Sequence, residues 1–165
     1  MLRIRQLSPA DSLEELTHLL HRAYADLGAL GLNYTAVNQS TETTRLRIAG
    51  GCCFVAEWKQ LLAGTVLAKP PEQSSECEYF ARPDVATLRQ FAVEPQFQGR
   101  GIGHALVSSC ETWARENGLH ELALDTAEPA THLVHFYSRL GFAPVGSVQW
   151  PGKVYRSVVM SKALQ

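Results

Sequence analysis

The sequence has no apolar run of membrane-spanning length, no secretory leader and no excess of charge of either sign. Its 15 basic and 16 acidic residues are intermixed, and the formal net charge is -1 at pH 7. Such a balance provides no field that would hold nucleic acid or an anionic membrane. We therefore expect neither a nucleic-acid nor a membrane partner, and any bound phosphate has to be held by a local site.

Paired cysteines and metal-ligand motifs are also missing. The four cysteines lack Cys-x-x-Cys spacing, which together with the missing leader favours a reducing, cytoplasmic compartment. Two histidine pairs have the i, i+3 spacing of neighbours on a helix, but neither has a third ligand in the sequence, so we expect no metal. These pairs are His18 with His21 and His132 with His135.

The length fits one α/β domain that spans residues 1–165, because 165 residues with 45% apolar content bury one core and not two. Apolar periodicity predicts elements in the order β α α β β β α β α β β. Ser8 is expected to cap the first helix, with Pro9 at its first position, and that helix runs to about Leu27. A second short helix ends near Gly50.

The later elements follow from the same rules. Residues 53–58 and 61–68 predict a hairpin, and residues 69–84, with three prolines, predict an exposed loop. The third helix ends at Gly118, a fifth strand covers 120–125, and Pro129 begins a fourth helix. Residues 145–150 and 154–160 predict a closing hairpin, with a tight Pro-Gly turn between its strands.

The strongest functional signal is the segment 88–104, which reads as a strand, a glycine-rich turn and the start of a helix. Gly99, Gly101 and Gly103 let the backbone approach a ligand with no Cβ in the way. The free N–H groups and positive dipole end of the following helix suit phosphate oxygens. The turn lacks the Gly-Lys-Ser/Thr of a P-loop, and Leu106 stands where a dinucleotide fingerprint has glycine or alanine. An anionic ligand is predicted, and a turn without any ligand is the alternative.

Two motifs carry a resemblance to a known family. The pattern Gln-x-x-Gly-x-Gly from Gln98 to Gly103, preceded by Phe-Ala-Val, resembles the acyl-CoA-binding motif of the GNAT superfamily of N-acyltransferases. The segment Phe-Tyr-Ser-Arg-Leu-Gly-Phe, residues 136–142, is similar to a second segment of that family. The resemblance implies a mixed, mostly antiparallel seven-stranded sheet flanked by about four helices. The predicted element order agrees with that arrangement.

The resemblance also implies an activity. It is transfer of an acetyl group from acetyl-CoA (coenzyme A), as co-substrate, directly to a primary amine in a ternary complex. We expect a small-molecule amine rather than a protein terminus or lysine, and we keep a homodimer open. Acetylation of a protein or peptide, or non-catalytic sensing of acyl-CoA, are the alternatives.

The resemblance assigns coenzyme contacts to the strand end, the turn and one tyrosine. The strand end offers hydrogen bonds to the pantetheine amides, Gln98 a further hydrogen bond and Arg100 a charge-assisted contact. The predicted contacts are Phe91, Ala92, Val93, Gln98, Gly99, Arg100, Gly101, Ile102, Gly103, His104 and Tyr137. Family members often have an asparagine at the start of the fourth helix, whereas this chain has Ala130 or Thr131 there, so one coenzyme contact is lost or moved.

Tyr137 is the predicted general acid, because the resemblance places a tyrosine of this helix at the coenzyme sulfur. A neutral phenol protonates or hydrogen-bonds a leaving thiolate. The alternative is an aromatic side chain that only packs on the core face of its helix.

The general base and the acceptor pocket are less defined by sequence. Related enzymes often have a carboxylate on strand four, but Thr87 occupies the approximate position in this chain. Among Asp125, Glu128 and His132 we favour His132, because histidine changes charge near neutral pH, although a capping or solvent-facing role fits each of them. Tyr34 and Trp150 are the predicted acceptor-binding aromatics, with ordinary packing as the alternative.

Overall fold

A single sheet extends through the protein, and alternate residues of its strands face two layers of helices. The structure, a computed structural model, describes every residue from Met1 to Gln165. The strands are β1 (Leu2–Gln6), β2 (Cys52–Trp58), β3 (Leu61–Lys69), β4 (Val85–Val93), β5 (Glu121–Ala127), β6 (Ala143–Val148) and β7 (Ser157–Ala163). Their order is β1-β2-β3-β4-β5-β7-β6, and only β4 and β5 are parallel neighbours. The predicted mixed, mostly antiparallel seven-stranded sheet is confirmed.

Four α-helices cover the two faces of this sheet. They are α1 (Leu13–Ala29), α2 (Thr41–Ile48), α3 (Ile102–Glu116) and α4 (Thr131–Arg139). Val66 and Ala68 of β3 belong to the core cluster that contains the buried face of α3, whereas Leu67 packs with Leu16 and Leu19 of α1. Successive side chains of a strand point to opposite faces, so α1 and α3 lie on opposite sides of the sheet.

The sheet splits in its middle, and this split positions the site. β4 and β5 pair only from Val85 to Thr87 with residues 121–123, and β4 continues to Val93 without a partner on that side. A bulge also interrupts β4, because Leu67 lies opposite Arg89 and the next paired residue of β4 is Ala92. Gln90 in this bulge has a φ of 49°. Bulges re-aim side chains and bend strands, and here the bent strand forms one wall of a cleft.

The predicted start of α1 is wrong. Its N-cap is Ser12, whose hydroxyl oxygen accepts from the N–H of Glu15 at 3.1 Å. Ser8 instead begins a separate turn, in which its N–H donates to a carboxylate oxygen of Asp11 at 2.7 Å. Arg5 donates two further hydrogen bonds to that carboxylate, at 2.7 and 2.8 Å. Because Arg5 and the turn occupy Asp11, the helix begins one turn later than the Ser-Pro pattern indicates.

Replacement of Ser12 by alanine is expected to lower the free energy of unfolding by about 1 kcal/mol, because the first turn of α1 loses its side-chain cap. Ser8→Ala is the matched control, since Ser8 lies outside the helix and its hydroxyl only accepts from Ala10 at 3.2 Å. We expect less than half of the Ser12→Ala loss in that variant. Urea unfolding of both variants measures the difference, and equal losses would contradict the assignment of the cap.

The segment 69–84 is not the exposed loop that its prolines predict. β3 continues to Lys69, a 3₁₀ turn forms at Glu78–Ala81, and Phe80 is fully buried. Phe80 packs in a small cluster with Cys77, Val85 and residues of β5 and β7. The apolar Cys77 and Phe80 anchor the segment on the sheet, although the composition around them is polar.

Two boundaries in the last third of the chain also differ from the prediction. α4 begins at Thr131, two residues after Pro129. A loop of residues 149–156 joins β6 and β7 where a tight Pro-Gly turn was expected. The amide of Gln149 donates to the carbonyls of Lys153 and Tyr155, each at 3.0 Å, and thereby closes this wider loop.

Candidate active site

A cavity of about 1070 Å³ opens where β4 and β5 separate. Its walls are the second half of β4, the turn before α3, the inner side of α4, and the two loops that follow α1 and β6. The glycine turn, residues 98–104, lies at one end. Arg47, Arg89, Asp125, Trp150 and Lys153 line what we call the charged end. One continuous space therefore joins an anion-binding turn to a set of ionised side chains.

The glycine turn presents a row of free amides to this cavity. The N–H groups of residues 99–104 donate no hydrogen bond within the chain, and the first main-chain bond of α3 runs from Ala105 to the Gly101 carbonyl. Such N–H groups, together with the positive end of the α3 dipole, form a site for phosphate oxygens. The turn therefore fits the pyrophosphate of a coenzyme.

Two glycines of the turn are required for different reasons. Gly101 is the N-cap of α3 and has a φ of 78°, a left-handed conformation that L side chains rarely adopt. At Gly103 a Cβ would lie 2.9 Å from the ring of Phe91 and 3.4 Å from the ring of Phe136. Gly101 sets the shape of the turn, and Gly103 lets α3 approach the aromatic side chains of β4 and α4.

All but one of the predicted coenzyme contacts line the cavity. The exception is Arg100, whose guanidinium lies 5.3 Å from the centre of the Trp58 ring and does not face the cavity. The contacts that do line it are Phe91, Ala92, Val93, Gln98, Gly99, Gly101, Ile102, Gly103, His104 and Tyr137. The Arg100 side chain instead packs against Trp58 at the end of β2.

Tyr137 is held by aromatic side chains and has a free hydroxyl. Its ring contacts Phe91, Phe136 and Phe142, with ring centres at 6.1, 5.3 and 6.0 Å. The residue is 7% exposed and lines the cavity. Its hydroxyl, unlike those of Tyr24, Tyr34 and Tyr79, makes no hydrogen bond within the protein. Burial raises the pKa of Tyr137 well above its usual value. The phenol is therefore a neutral, oriented donor with nothing yet to donate to.

The three candidates for the general base are in different surroundings. His132 is exposed at the first turn of α4 and lines the cavity, whereas Glu128 is exposed and does not line it. Asp125 also lines the cavity, but its carboxylate accepts from Arg89 at 3.2 Å and from the Trp150 indole at 2.8 Å. The structure therefore leaves His132 as the candidate that both reaches the cavity and has no committed partner.

The predicted acceptor aromatics both reach the cavity, and each also has a structural contact. The hydroxyl of Tyr34 lies 2.8 Å from the Thr126 hydroxyl and accepts from the N–H of Ala127 at 2.9 Å. Its ring stacks on Tyr155 at 5.1 Å. Trp150 packs on Phe80 in addition to its bond with Asp125. Both side chains are fixed parts of the wall.

No group of three or more histidine, cysteine, aspartate or glutamate side chains lies close enough together to hold a metal ion. All four cysteines are free thiols. None of the helices has both the length and the apolar character needed to cross a membrane.

Comparison with known proteins identifies the family. The model of the Acetyltransferase (GNAT) family matches residues 13–142. The chain belongs to this family. GNAT proteins use acetyl-CoA as their co-substrate, which confirms the coenzyme predicted from the glycine turn.

Individual relatives match parts of the chain. Human N-acetyltransferase 8B is 32% identical over 97 residues, covering 59% of this chain and 40% of that protein. The aminoglycoside N(6')-acetyltransferase type 1 of Stenotrophomonas maltophilia is 43% identical over 42 residues, covering 26% of this chain and 28% of that protein. These matches span less than half of each relative.

A solved structure shares the fold over nearly its whole length. A GNAT family acetyltransferase from Elizabethkingia anophelis with acetyl-CoA bound superposes with a TM-score of 0.71 at 15% identity. The superposition covers 99% of this chain and 98% of that chain. The element order and the split sheet are therefore those of a GNAT fold.

Several cavity residues of this GNAT protein are not apparent in the sequence. Tyr24 reads as part of the apolar face of α1, but its hydroxyl donates to the carbonyl of Phe91 at 2.8 Å. Arg47 lies in α2, whose composition has no amphipathic pattern. Lys153 follows a Pro-Gly pair that predicts only a turn. A polar group on an otherwise apolar helix face is the one sequence signal that could indicate such a cavity residue. Tyr24 has this signal, whereas Arg47 and Lys153 do not.

Proposed function

We propose that the protein is an acetyl-CoA-dependent N-acetyltransferase that acetylates a primary amine of a small molecule by direct transfer in a ternary complex. The observation that carries the proposal is the continuous cavity with free amides at one end and the free Tyr137 hydroxyl on its wall. A protein that only sensed acyl-CoA would have no need for an oriented proton donor along this space.

The split between β4 and β5 provides the seat for the coenzyme arm. In the proposed complex the amides of residues 99–104 hold the pyrophosphate, and the pantetheine arm lies along the unpaired edge of β4. Phe91 is only partly available there, because Tyr24 already donates to its carbonyl. This placement brings the thioester to the part of the cavity lined by Tyr137.

Tyr137 and His132 divide the proton transfers in the proposed reaction. As the acceptor nitrogen bonds to the acetyl carbon and the carbon–sulfur bond breaks, the phenol of Tyr137 donates to the leaving thiolate. The amine nitrogen must lose a proton, which His132 takes directly or through water. The two residues are five positions apart on α4, so their side chains are about 140° apart around the helix axis. His132 therefore reaches the cavity from an exposed position, whereas Tyr137 is buried in the cavity wall.

The far wall of the cavity favours a small acceptor. The loop after α1 and the loop between β6 and β7 are joined by four hydrogen bonds, one of which runs from the Lys153 ammonium to the hydroxyl of Thr35 at 2.9 Å. Asn33 donates to the carbonyl of Gly152 at 2.9 Å and accepts from the N–H of Val154 at 3.0 Å, and Lys153 donates to the Asn33 carbonyl at 2.7 Å. A joined pair of loops limits the approach of a folded protein chain, whereas a small amine passes beside it.

The direct test is release of free coenzyme A thiol from acetyl-CoA in the presence of a library of amines. The proposal expects amine-dependent thiol release and an acetylated product of matching amount. Acetyl-CoA binding without release from any amine would favour a sensor. Thiol release with a protein terminus or lysine, and with no small amine, would overturn the small-molecule part of the proposal.

The role of His132 is tested by its pH profile. A general base acts only in its unprotonated form, so a histidine base predicts an acidic limb in the pH profile of the wild-type rate. His132→Ala should lower turnover about tenfold and remove that acidic limb, a modest loss for a general base because water reaches this exposed site. His135→Ala is the matched control, since His135 is equally exposed on α4 but does not line the cavity. An acidic limb that is unaltered in His132→Ala would eliminate this base.

A further inference from the structure

The charged end of the cavity contains two cations that no acid neutralises. Arg47 and Lys153 both line the cavity and both are partly buried. No carboxylate oxygen lies within 4.0 Å of either side chain. Partly buried charges are normally paired, because removal of an ion from water is unfavourable. Two unpaired cations in one cavity therefore call for an explanation.

The other charged side chains that surround this end do not supply the missing anion. Asp125 is occupied by Arg89, at 3.2 Å, and Glu72 pairs with Lys69 at 3.4 Å. The two remaining acids of the cavity wall, Asp26 and Glu76, are exposed and therefore solvated. The partly buried charge that remains without a partner is positive.

A buried polar network holds Arg47 in its place. The side-chain oxygen of Gln39 accepts from Arg47 at 2.9 Å. Gln39 is 5% exposed, and its amide donates to Thr44 at 2.8 Å and to Gln90 of the β4 bulge at 2.7 Å. This is the only hydrogen bond of the Arg47 side chain, so the rest of its planar guanidinium is free. A fixed guanidinium with free N–H groups matches the geometry of a carboxylate or phosphate.

Lys153 is held from the opposite loop by neutral acceptors only. Its ammonium donates to the carbonyl of Asn33 at 2.7 Å and to the hydroxyl of Thr35 at 2.9 Å. Burial and the charge of Arg47 lower the pKa of Lys153, and burial lowers the pKa of Arg47. The charged form of each side chain is thus disfavoured at its position, and an anion bound near the two side chains would offset both effects.

We propose that the acceptor amine carries an anionic group, a carboxylate or a phosphate, that binds to Arg47 and Lys153. This inference rests on the proposed function, because it names the class of acceptor for the same cavity. An amine of this kind places its negative group at the charged end. Diamines and polyamines, which bring a second cation to that end, are disfavoured by charge repulsion.

The test compares amines that differ only in the anionic group. The standard amino acids are assayed beside their α-amides, O-phosphoethanolamine beside ethanolamine, and putrescine alone, by thiol release from acetyl-CoA. We expect at least one anionic member to exceed its neutral partner by roughly tenfold or more in kcat/KM, as for a charge-assisted contact. A preference among the amino-acid pairs indicates a carboxylate site, and a preference for O-phosphoethanolamine over ethanolamine indicates a phosphate site.

Two variants of α2 connect that preference to Arg47. Arg47→Gln should lower kcat/KM for the preferred anionic amine roughly 30-fold and leave its neutral partner within about twofold, since one partner of a desolvated charge pair is lost. Arg45→Gln is the matched control, because Arg45 is exposed on the same helix, pairs with Glu42 and does not line the cavity. That control should retain the preference, and thermal unfolding of both variants verifies the fold.

Calorimetry with the same amine pairs in the presence of coenzyme A separates this inference from the proposed function. Anionic amines that bind, and lose binding in Arg47→Gln, support the inference even if no acetyl group is transferred. Acetylation of neutral amines or putrescine in preference to anionic partners overturns the inference and leaves the transferase standing. An equal loss of kcat/KM for both members of a pair in Arg47→Gln also overturns the inference. If no amine is bound and none is acetylated, both the inference and the proposed function are overturned.

Discussion

Gly101→Glu is expected to weaken acetyl-CoA binding by at least ~100-fold, about 2.7 kcal/mol, while the protein stays folded. The new carboxylate would lie among the free amides of residues 99–104, where the pyrophosphate is expected to bind. Two like charges about 4 Å apart repel by ~4 kcal/mol at an effective dielectric constant of 20, which exceeds the predicted loss even before the second phosphate charge is counted. A Cβ at Gly101 has no atom within 4 Å, so no neighbour blocks the side chain, although the φ of 78° strains the backbone of any residue other than glycine.

The controls for this variant separate charge from backbone strain. Gly101→Gln has the same shape and the same unfavourable φ of 78°, but no charge, and should lose no more than about tenfold in affinity. Gly118→Glu introduces the charge at another glycine with a positive φ, 72°, outside the cavity, and should bind acetyl-CoA normally. Calorimetric titration measures all three affinities. Equal losses in Gly101→Glu and Gly101→Gln would show that the anion does not bind at this turn.

The order of the elements was predictable because each element carries its own periodic pattern. α3 has buried residues at the helical spacing of Ile102, Leu106 and Cys110, and Gly118 follows its end with a φ of 72°. The hairpin of β2 and β3 is adjacent in sequence and turns through Lys59 and Gln60, both with positive φ. Short-range patterns of this kind survive in the fold because packing reinforces them.

The errors occurred where a side-chain contact outside the helix and turn patterns decides the local structure. The Ser-Pro pair at position 8 is a reasonable helix start, but Arg5 and Asp11 fold it into a separate turn. The composition of the proline-rich segment predicts an exposed loop, yet Phe80 lies in a cluster with residues of β5 and β7 that are more than 40 positions away. No local pattern contains such contacts.

The same distinction applies to the candidate site. The glycine turn is a continuous motif, so the sequence predicts its residues together, and the structure places all of them except Arg100 on the cavity wall. The charged end comes from α2, β4, β5 and the last loop. Its contacts join residues far apart in sequence, such as Arg89 with Asp125 and Lys153 with Asn33. These side chains become neighbours only through the sheet order.

Tyr137→Phe is expected to bind acetyl-CoA with near-normal affinity and to transfer the acetyl group about 10²-fold more slowly, the low end for loss of a general acid. The ring contacts with Phe91, Phe136 and Phe142 remain, and the hydroxyl makes no hydrogen bond within the protein that the variant would lose. Stability should therefore change little. Single-turnover rates are the measurement of choice, because slow product release would hide a loss in the chemical step.

The pH dependence gives a second, independent readout for Tyr137. Burial raises its pKa well above 10.0, and a raised pKa keeps the acid form present at every pH below that value. The wild-type single-turnover rate should therefore show no alkaline loss from Tyr137 up to pH 10, and the variant should be slower by the same factor throughout. Tyr79→Phe, a hydroxyl deletion outside the cavity, should leave the rate unchanged. Full single-turnover activity in Tyr137→Phe would mean that the phenol only packs, and a loss of acetyl-CoA affinity equal to the loss of rate would mean that it binds the coenzyme without acting as an acid.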